Sequence, residues 1–175
     1  DLAQELATIA ARWLTEHEAL RTTENLYWFS LFAAPLTGFE DCISILEEAV
    51  RSGYENGEID GAARSIVSLC MHQFFTGQPL QTMQTNIARH ISILKRQRQE
   101  DPLLQLSLWN EAIATIMDRS SDPVALTGAD FSESEIIPMW SAMQNHNALM
   151  QFYFLTSLTR YLNEEMDGAT SHIDS

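Results

Sequence analysis

Apolar residues in this chain return every three or four positions, and no stretch sustains an alternation of two. That period matches the 3.6-residue turn of an α-helix, so each oily side chain lands on one face. Leu2, Leu6, Ile9 and Trp13 predict a first helix over about residues 2–20. Thr23 is read as the cap of a short, very apolar helix from Leu26 through Phe32 that stops before Pro35. Phe39, Cys42, Ile43, Leu46 and Val50 mark a third helix, closed at Asn56-Gly57, and Ala62, Ile66, Cys70 and Phe74 a fourth, ended by Gly77. Met83, Ile87, Ile91 and Leu94 follow Pro79, a residue tolerated in a first turn, and make a fifth.

Asp101-Pro102 reads as an N-cap followed by proline at the first helical position, with Leu104, Leu108, Ala112 and Ile116 on one face behind it. Residues 120–131 form the longest loop. Ser132 opens Ser-Glu-Ser-Glu, a capping box before Ile136 and Ile137. The last helix, Leu149 to Leu162, is apolar almost all round and is expected to be central and buried on most sides, with Trp140 and Phe154 as core residues. Short connections make consecutive helices antiparallel. The expected fold is all-α: about eight helices as stacked antiparallel hairpins, a tetratricopeptide-like α-solenoid segment. With 175 residues, 45% apolar, and only 7 Gly and 5 Pro, the chain can fill a core but lacks the turns of a sandwich or barrel. We expect one helical-repeat domain spanning 1–175, a fragment of a longer protein.

A net charge of −14, from 24 acids against 10 bases of which only Lys95 is a lysine, disfavours nucleic acid and anionic membranes as partners. The local exception, Arg89, Lys95, Arg96 and Arg98, reads as a solvated helix end, where bases complement the helix dipole. No apolar run approaches the ~18 residues a membrane span needs. Cys42 and Cys70 sit on apolar helix faces as small hydrophobes, which makes a reducing cytoplasm the expected compartment.

Tyr54-Glu55-Asn56-Gly57-Glu58-Ile59-Asp60-Gly61-Ala62 matches Tyr161-Leu162-Asn163-Glu164-Glu165-Met166-Asp167-Gly168-Ala169 at six of nine positions, at an offset of 107. That offset is close to three units of ~36 residues, within the range of two-helix repeats. In each copy a helix ends on an aromatic residue, a polar turn follows, and small residues open the next helix so that its backbone can come close to its partner.

Chemistry-bearing patterns do not assemble. There is no phosphate-binding glycine loop of either common type. His17, His72, His90, His146 and His172 are dispersed, and no Cys-x-x-Cys exists to hold zinc. His72 and Cys70 are two apart on one helix and do not face each other, so a Cys–His nucleophilic pair could form only between helices. The acids between Asp118 and Asp130 lack the glycine and terminal glutamate of an EF-hand. Glu47-Glu48 and Glu164-Glu165 read as ordinary helix surface. Met139, Trp140, Met143 and Met150 with Phe152 and Phe154 fit core packing better than an adaptable groove. No catalytic, cofactor-binding or metal-ligating residue is assigned, and no cofactor is expected.

Several motifs carry a resemblance: Pro35-Leu36; Leu46-Glu47-Glu48-Ala49 with Gly53-Tyr54-Glu55-Asn56-Gly57-Glu58; Phe74-Phe75-Thr76-Gly77-Gln78-Pro79-Leu80; Leu126-Thr127-Gly128 through Pro138; and the aromatic helix Phe152 to Tyr161. With these, residues 28–169 resemble the helical, tetratricopeptide-like region of large signalling proteins typical of cyanobacteria. Such proteins combine a Ser/Thr kinase domain, an AAA-type ATPase, this helical stretch, a GAF sensor and a histidine kinase. Glu164 departs from the pattern, which has Gly there. None of the family's catalytic motifs lies in this segment. The resemblance implies a non-catalytic regulatory scaffold within a multidomain signal-transduction kinase. Its partners would be protein domains of the same chain or another signalling protein, a second copy of this chain among the candidates. The rival expectation is a small-molecule-sensing domain with a pocket between helices.

Overall fold

The computed structural model describes residues 2–17, 22–117, 126 and 132–163, and eight α-helices and no strand occur among them. They are α1 (Leu2–Glu16), α2 (Thr23–Thr37), α3 (Phe39–Asn56), α4 (Ile59–Phe75), α5 (Leu80–Arg96), α6 (Glu100–Ile116), α7 (Glu133–Ala142) and α8 (His146–Leu162). The all-α class expected from periodicity is what the chain adopts. By proximity the described residues group into two compact units: those up to 83 with 92–102, and 84–91 with those from 103 onward.

In the first unit α2, α3 and α4 pack side by side. Phe39 at the start of α3 stacks on Phe75 at the end of α4, centroids 5.1 Å apart, while Gly53 near the end of α3 meets Ala62 near the start of α4. The two helices therefore run antiparallel, joined through Gly57, whose left-handed φ of 78° suits a residue without Cβ. The start of α2 returns to the same end: Thr23 lies against both Gly53 and Gly61. A Cβ on Gly53 would come within 2.8 Å of the Ala62 Cβ, and one on Gly61 within 2.7 Å of the Thr23 Cγ2. Small residues at the start of α4 thus allow the close approach expected of them. The second copy of that motif from residue 164 onward lies outside the described residues. Tyr27, Leu46 and Leu69 form one buried cluster, with Leu31 and Ile43 against it, and Ala33, Ala34 and Cys42 another, with Phe29 against it.

In the second unit the interior is more polar. The Trp109 Nε1–H donates to Gln151 Oε1 at 2.6 Å, and Gln151 Nε2 donates to Gln105 Oε1 at 3.2 Å. All three side chains are buried, so this chain of bonds satisfies groups that would otherwise be costly to remove from water. Trp140, Phe152 and Leu155 are also fully buried in this unit, and α7 packs on α8.

Several helix ends differ from the sequence expectation, each for a local reason. The first helix stops at Glu16, with the His17 N–H bonded back to the Trp13 carbonyl; residues 18–20 lie outside the described residues. Thr22, not Thr23, caps α2: its Oγ1 accepts from the Asn25 N–H. That helix runs through Pro35 to Thr37. Position 35 has no N–H to give, yet Gly38 N–H bonds the Ala34 carbonyl and Thr37 Oγ1 bonds that of Ala33, so the last turn holds. In α6, Glu100 is the first residue, so Asp101 and Pro102 stand second and third; the N–H groups of a first turn need no helical partner, so proline fits there too. Ser132 precedes α7 but its hydroxyl makes no capping bond and lies 3.2 Å from Ser134 Oγ. The long loop expected over 120–131 lies, except for buried Leu126, outside the described residues.

The last helix is also longer and more one-sided than expected. It starts at His146, where Asn145 Oδ1 accepts from the Ala148 N–H. Its buried face is Ala148, Gln151, Phe152, Leu155, Thr156 and Thr159, while Met150, Phe154, Tyr161 and Leu162 are exposed. Phe154, expected in the core, is 38% exposed, because the buried stripe is completed by threonines and a glutamine. Thr159 satisfies its hydroxyl on the carbonyls of Leu155 and Thr156.

Two outcomes follow in chemical denaturation. Gly61→Ala destabilises by about 1–3 kcal/mol through its clash with the Thr23 methyl, and Thr23→Ser, which removes that methyl, recovers most of the loss in the double variant. Trp140→Ala costs about 3–5 kcal/mol and Phe154→Ala about 1 kcal/mol or less.

Candidate functional site

Two features of the first unit combine exposure with side chains able to bind something. The first is a cleft of about 360 Å³ where the α3–α4 turn meets the start of α2, lined by Glu24, Gly57, Glu58, Ile59, Asp60, Gly61 and Arg64. Its charges are engaged within the protein. Glu58 Oε2 accepts from the Thr23 backbone N–H at 3.1 Å, satisfying a donor at the positive end of α2 from 35 residues away. The Arg64 guanidinium lies 3.9 Å from Glu24 and 5.7 Å over the Tyr27 ring, and Glu24 also accepts from Trp28 Nε1 at 3.3 Å. Asp60 accepts from Gln99 Nε2 at 2.8 Å. A nucleophile with an adjacent base is not among these residues, and the cleft is chiefly a polar seam between helix ends.

The second feature is aromatic. Trp28, Phe32 and Leu36 follow each other at four-residue spacing, so they form one stripe along α2. All three are exposed, Phe32 to 71%, and the Trp28 and Phe32 rings stack with centroids 6.1 Å apart. At the start of α3 and end of α4, Phe39 and Phe75 form a second stacked, exposed pair, and the Phe39 and His72 rings meet edge to face with centroids 4.9 Å apart. On α1, Leu6, Ile9 and Trp13 are likewise exposed on one face. Burying a large side chain is worth roughly 1.5–3 kcal/mol, so rings left in water over contiguous patches mark a surface built for contact. Sequence pattern placed the α2 aromatics in an apolar helix but did not show which of them face outward; the four-residue spacing of positions 28, 32 and 36, opposite Leu26, Ala33 and Ala34, is the signal that separates the faces.

The residues singled out from sequence distribute as follows. Cys42 and Cys70 are buried free thiols. Burial raises both thiol pKa values, so neither presents a thiolate. His72 is buried, with Nδ1 2.7 Å from the Ser68 carbonyl, and burial lowers its pKa. Of the methionine–aromatic group, Trp140 and Phe152 are core, while Met143, Met150 and Phe154 are exposed, so they form no single groove. Lys95 and Arg96 stand in the last turn of α5, and Arg98 follows with a left-handed φ of 55°. Among the described residues no three of His, Cys, Asp or Glu gather as metal ligands would, and no helix is long and apolar enough to cross a membrane. His172 and the acids of 118–130 and 164–165 lie outside the described residues.

No family model matches this chain, and neither a curated protein nor a solved structure matches it significantly.

His90 generates a pH dependence. Burial, with the Arg89 cation beside it, lowers its pKa to about 4, and its Nδ1 is buried without a hydrogen-bond partner. Folding favours the neutral ring, so the unfolded chain, at about 6.5, takes up the proton first. This contribution to stability is complete above pH ~6.5 and is lost as the pH falls toward 4. Between pH 7 and pH 5 the wild type should lose about 1–2 kcal/mol more than His90→Gln in urea unfolding, and equal losses would remove His90 as the cause.

Proposed function

We propose that this chain is a non-catalytic helical scaffold, a regulatory segment of a multidomain signal-transduction kinase, whose work is to hold protein domains in contact. The observation that carries the contact role is the exposed stripe of Trp28, Phe32 and Leu36, with the stacked Phe39–Phe75 pair. A chain that works alone has no use for such rings in water, whereas helix-packing interfaces are built from them. Antiparallel pairing of α3 with α4 at a small-residue junction supports a hairpin unit of the tetratricopeptide-like kind. The link to kinases rests on the motif resemblance across residues 28–169. That resemblance implies a position between nucleotide-using and sensor modules, and the two free buried thiols suit a reducing cytoplasm.

The rival, a small-molecule sensor, is favoured by one observation, the cleft of about 360 Å³, which is within the size range of ligand sites. Its polar lining is already paired internally, unlike the mostly apolar walls of such sites, so the contact role is the better supported of the two.

The test has two parts. The coding sequence flanking this segment should encode kinase and ATPase motifs on one side and sensor and histidine-kinase motifs on the other; flanks without them would remove the kinase context. In the full-length protein, Trp28→Ser with Phe32→Ser should change autophosphorylation severalfold while leaving the thermal midpoint of the segment nearly unmoved. An unchanged output would remove the contact role, and saturable thermal stabilisation by a metabolite, abolished by Arg64→Ala, would favour the sensor.

A further inference from the structure

We infer that the α2 stripe docks an amphipathic helix of another protein whose apolar face is bordered by Lys and Arg. This rests on the contact role proposed above and names the chemistry of the partner. The apolar part of the match comes from spacing. Trp28, Phe32 and Leu36 extend over eight residues, about 12 Å of helix, which suits a second helix offering large side chains three or four positions apart.

The ionic part comes from the charges carried by the stripe's own stretch of chain, which have one sign. From Thr22 to Val50 the charged side chains are Glu24, Glu40, Asp41, Glu47 and Glu48, without one Lys, Arg or His. Glu24 stands one turn before Trp28 on the stripe, and Glu40 and Asp41 adjoin Phe39; all three are exposed. From Ser65 to Ala88, which includes Phe75, there is no Asp, Glu, Lys or Arg at all, and the only histidine, His72, is buried. Arg64 of α4, an exposed base at the start of the stripe, is held against Glu24 and Tyr27.

An apolar strip in a segment whose own charges are all carboxylates, on a chain this acidic, disfavours the alternatives. Two copies of a chain of net charge −14 would bring like charge together, and anionic lipid surfaces meet the same field. A cationic border instead gains attraction at the rim while its apolar face covers the rings, the division between affinity and steering seen at protein interfaces.

The experiment titrates the intact 175-residue chain with a labelled ~18-residue amphipathic helix of Leu and Lys, and with its counterpart carrying Glu for Lys. The Lys helix should bind saturably and more weakly as salt rises, and the Glu helix should not bind. Phe32→Ser should weaken binding about tenfold, whereas Phe154→Ser, a ring exposed in the other unit, should leave it unchanged. Glu40→Gln with Asp41→Asn should flatten the salt dependence. Equal binding of the two helices, or equal loss in the two Phe variants, would overturn the proposal. So would sedimentation showing a dimer that Phe32→Ser dissolves, since the occupant would then be a second copy. If the Lys helix fails to bind while the Trp28–Phe32 variant still alters output of the full-length protein, only the partner chemistry is wrong; if that output is also unchanged, the contact role falls with it.

Discussion

The first unit depends on three backbones approaching one another without side chains between them. Gly53, Gly61 and Ala62 leave room for Thr23 to sit against both arms of the α3–α4 hairpin, and the methyl of that threonine fills the room completely. Close packing of this kind is unforgiving, since a tightly filled interior transmits the volume of one added methyl to the helices around it. It also fixes which way α2 turns. Once its start is pinned between the hairpin ends, its buried face must be Leu26, Tyr27, Ser30, Ala33 and Ala34, and the opposite side, with Trp28, Phe32 and Leu36, is left to solvent. The glycine junction thus fixes which positions of α2 face outward, and the large rings at those positions are a further property of the sequence.

The second unit solves a different problem. Its interior is built around Gln105, Trp109 and Gln151, whose side chains exchange hydrogen bonds in place of water. Such a network specifies one arrangement of α6 against α8, because only one rotation brings the amide of Gln151 between the indole and the second amide. Ser107 and Thr156 are buried in the same unit with hydroxyls that find no partner among the described residues.

Where a helix boundary is set by the backbone's own limits, the sequence announced it. Gly57 and Gly77 adopt positive φ at the ends of α3 and α4, and both ends were legible from the residues. Where a boundary depends on tolerance, it was not. Pro35 signals a stop, yet the turn around it survives the loss of one donor. Arg98 and Gln144 close α5 and α7 in the left-handed region normally left to glycine, so no punctuation marked them. The exposed aromatics were hidden for a related reason: periodicity says that residues share a face, not whether anything covers that face. Phe154 faces outward while Gln151 is buried, because a buried amide becomes acceptable only when a partner from α6 arrives, which is a tertiary fact.

The bond from the Thr23 amide to Glu58 bridges 35 residues. On a ribosome the chain emerges at about 5–20 residues per second, so α2 is outside for seconds before the carboxylate that tethers its first turn exists in space. Until then only the local Thr22 cap holds its start, and the rings of both its faces are open to water and to whatever else is near. The helix that shows its aromatics in the finished protein is therefore also one that waits, as a nascent segment, for part of its anchor.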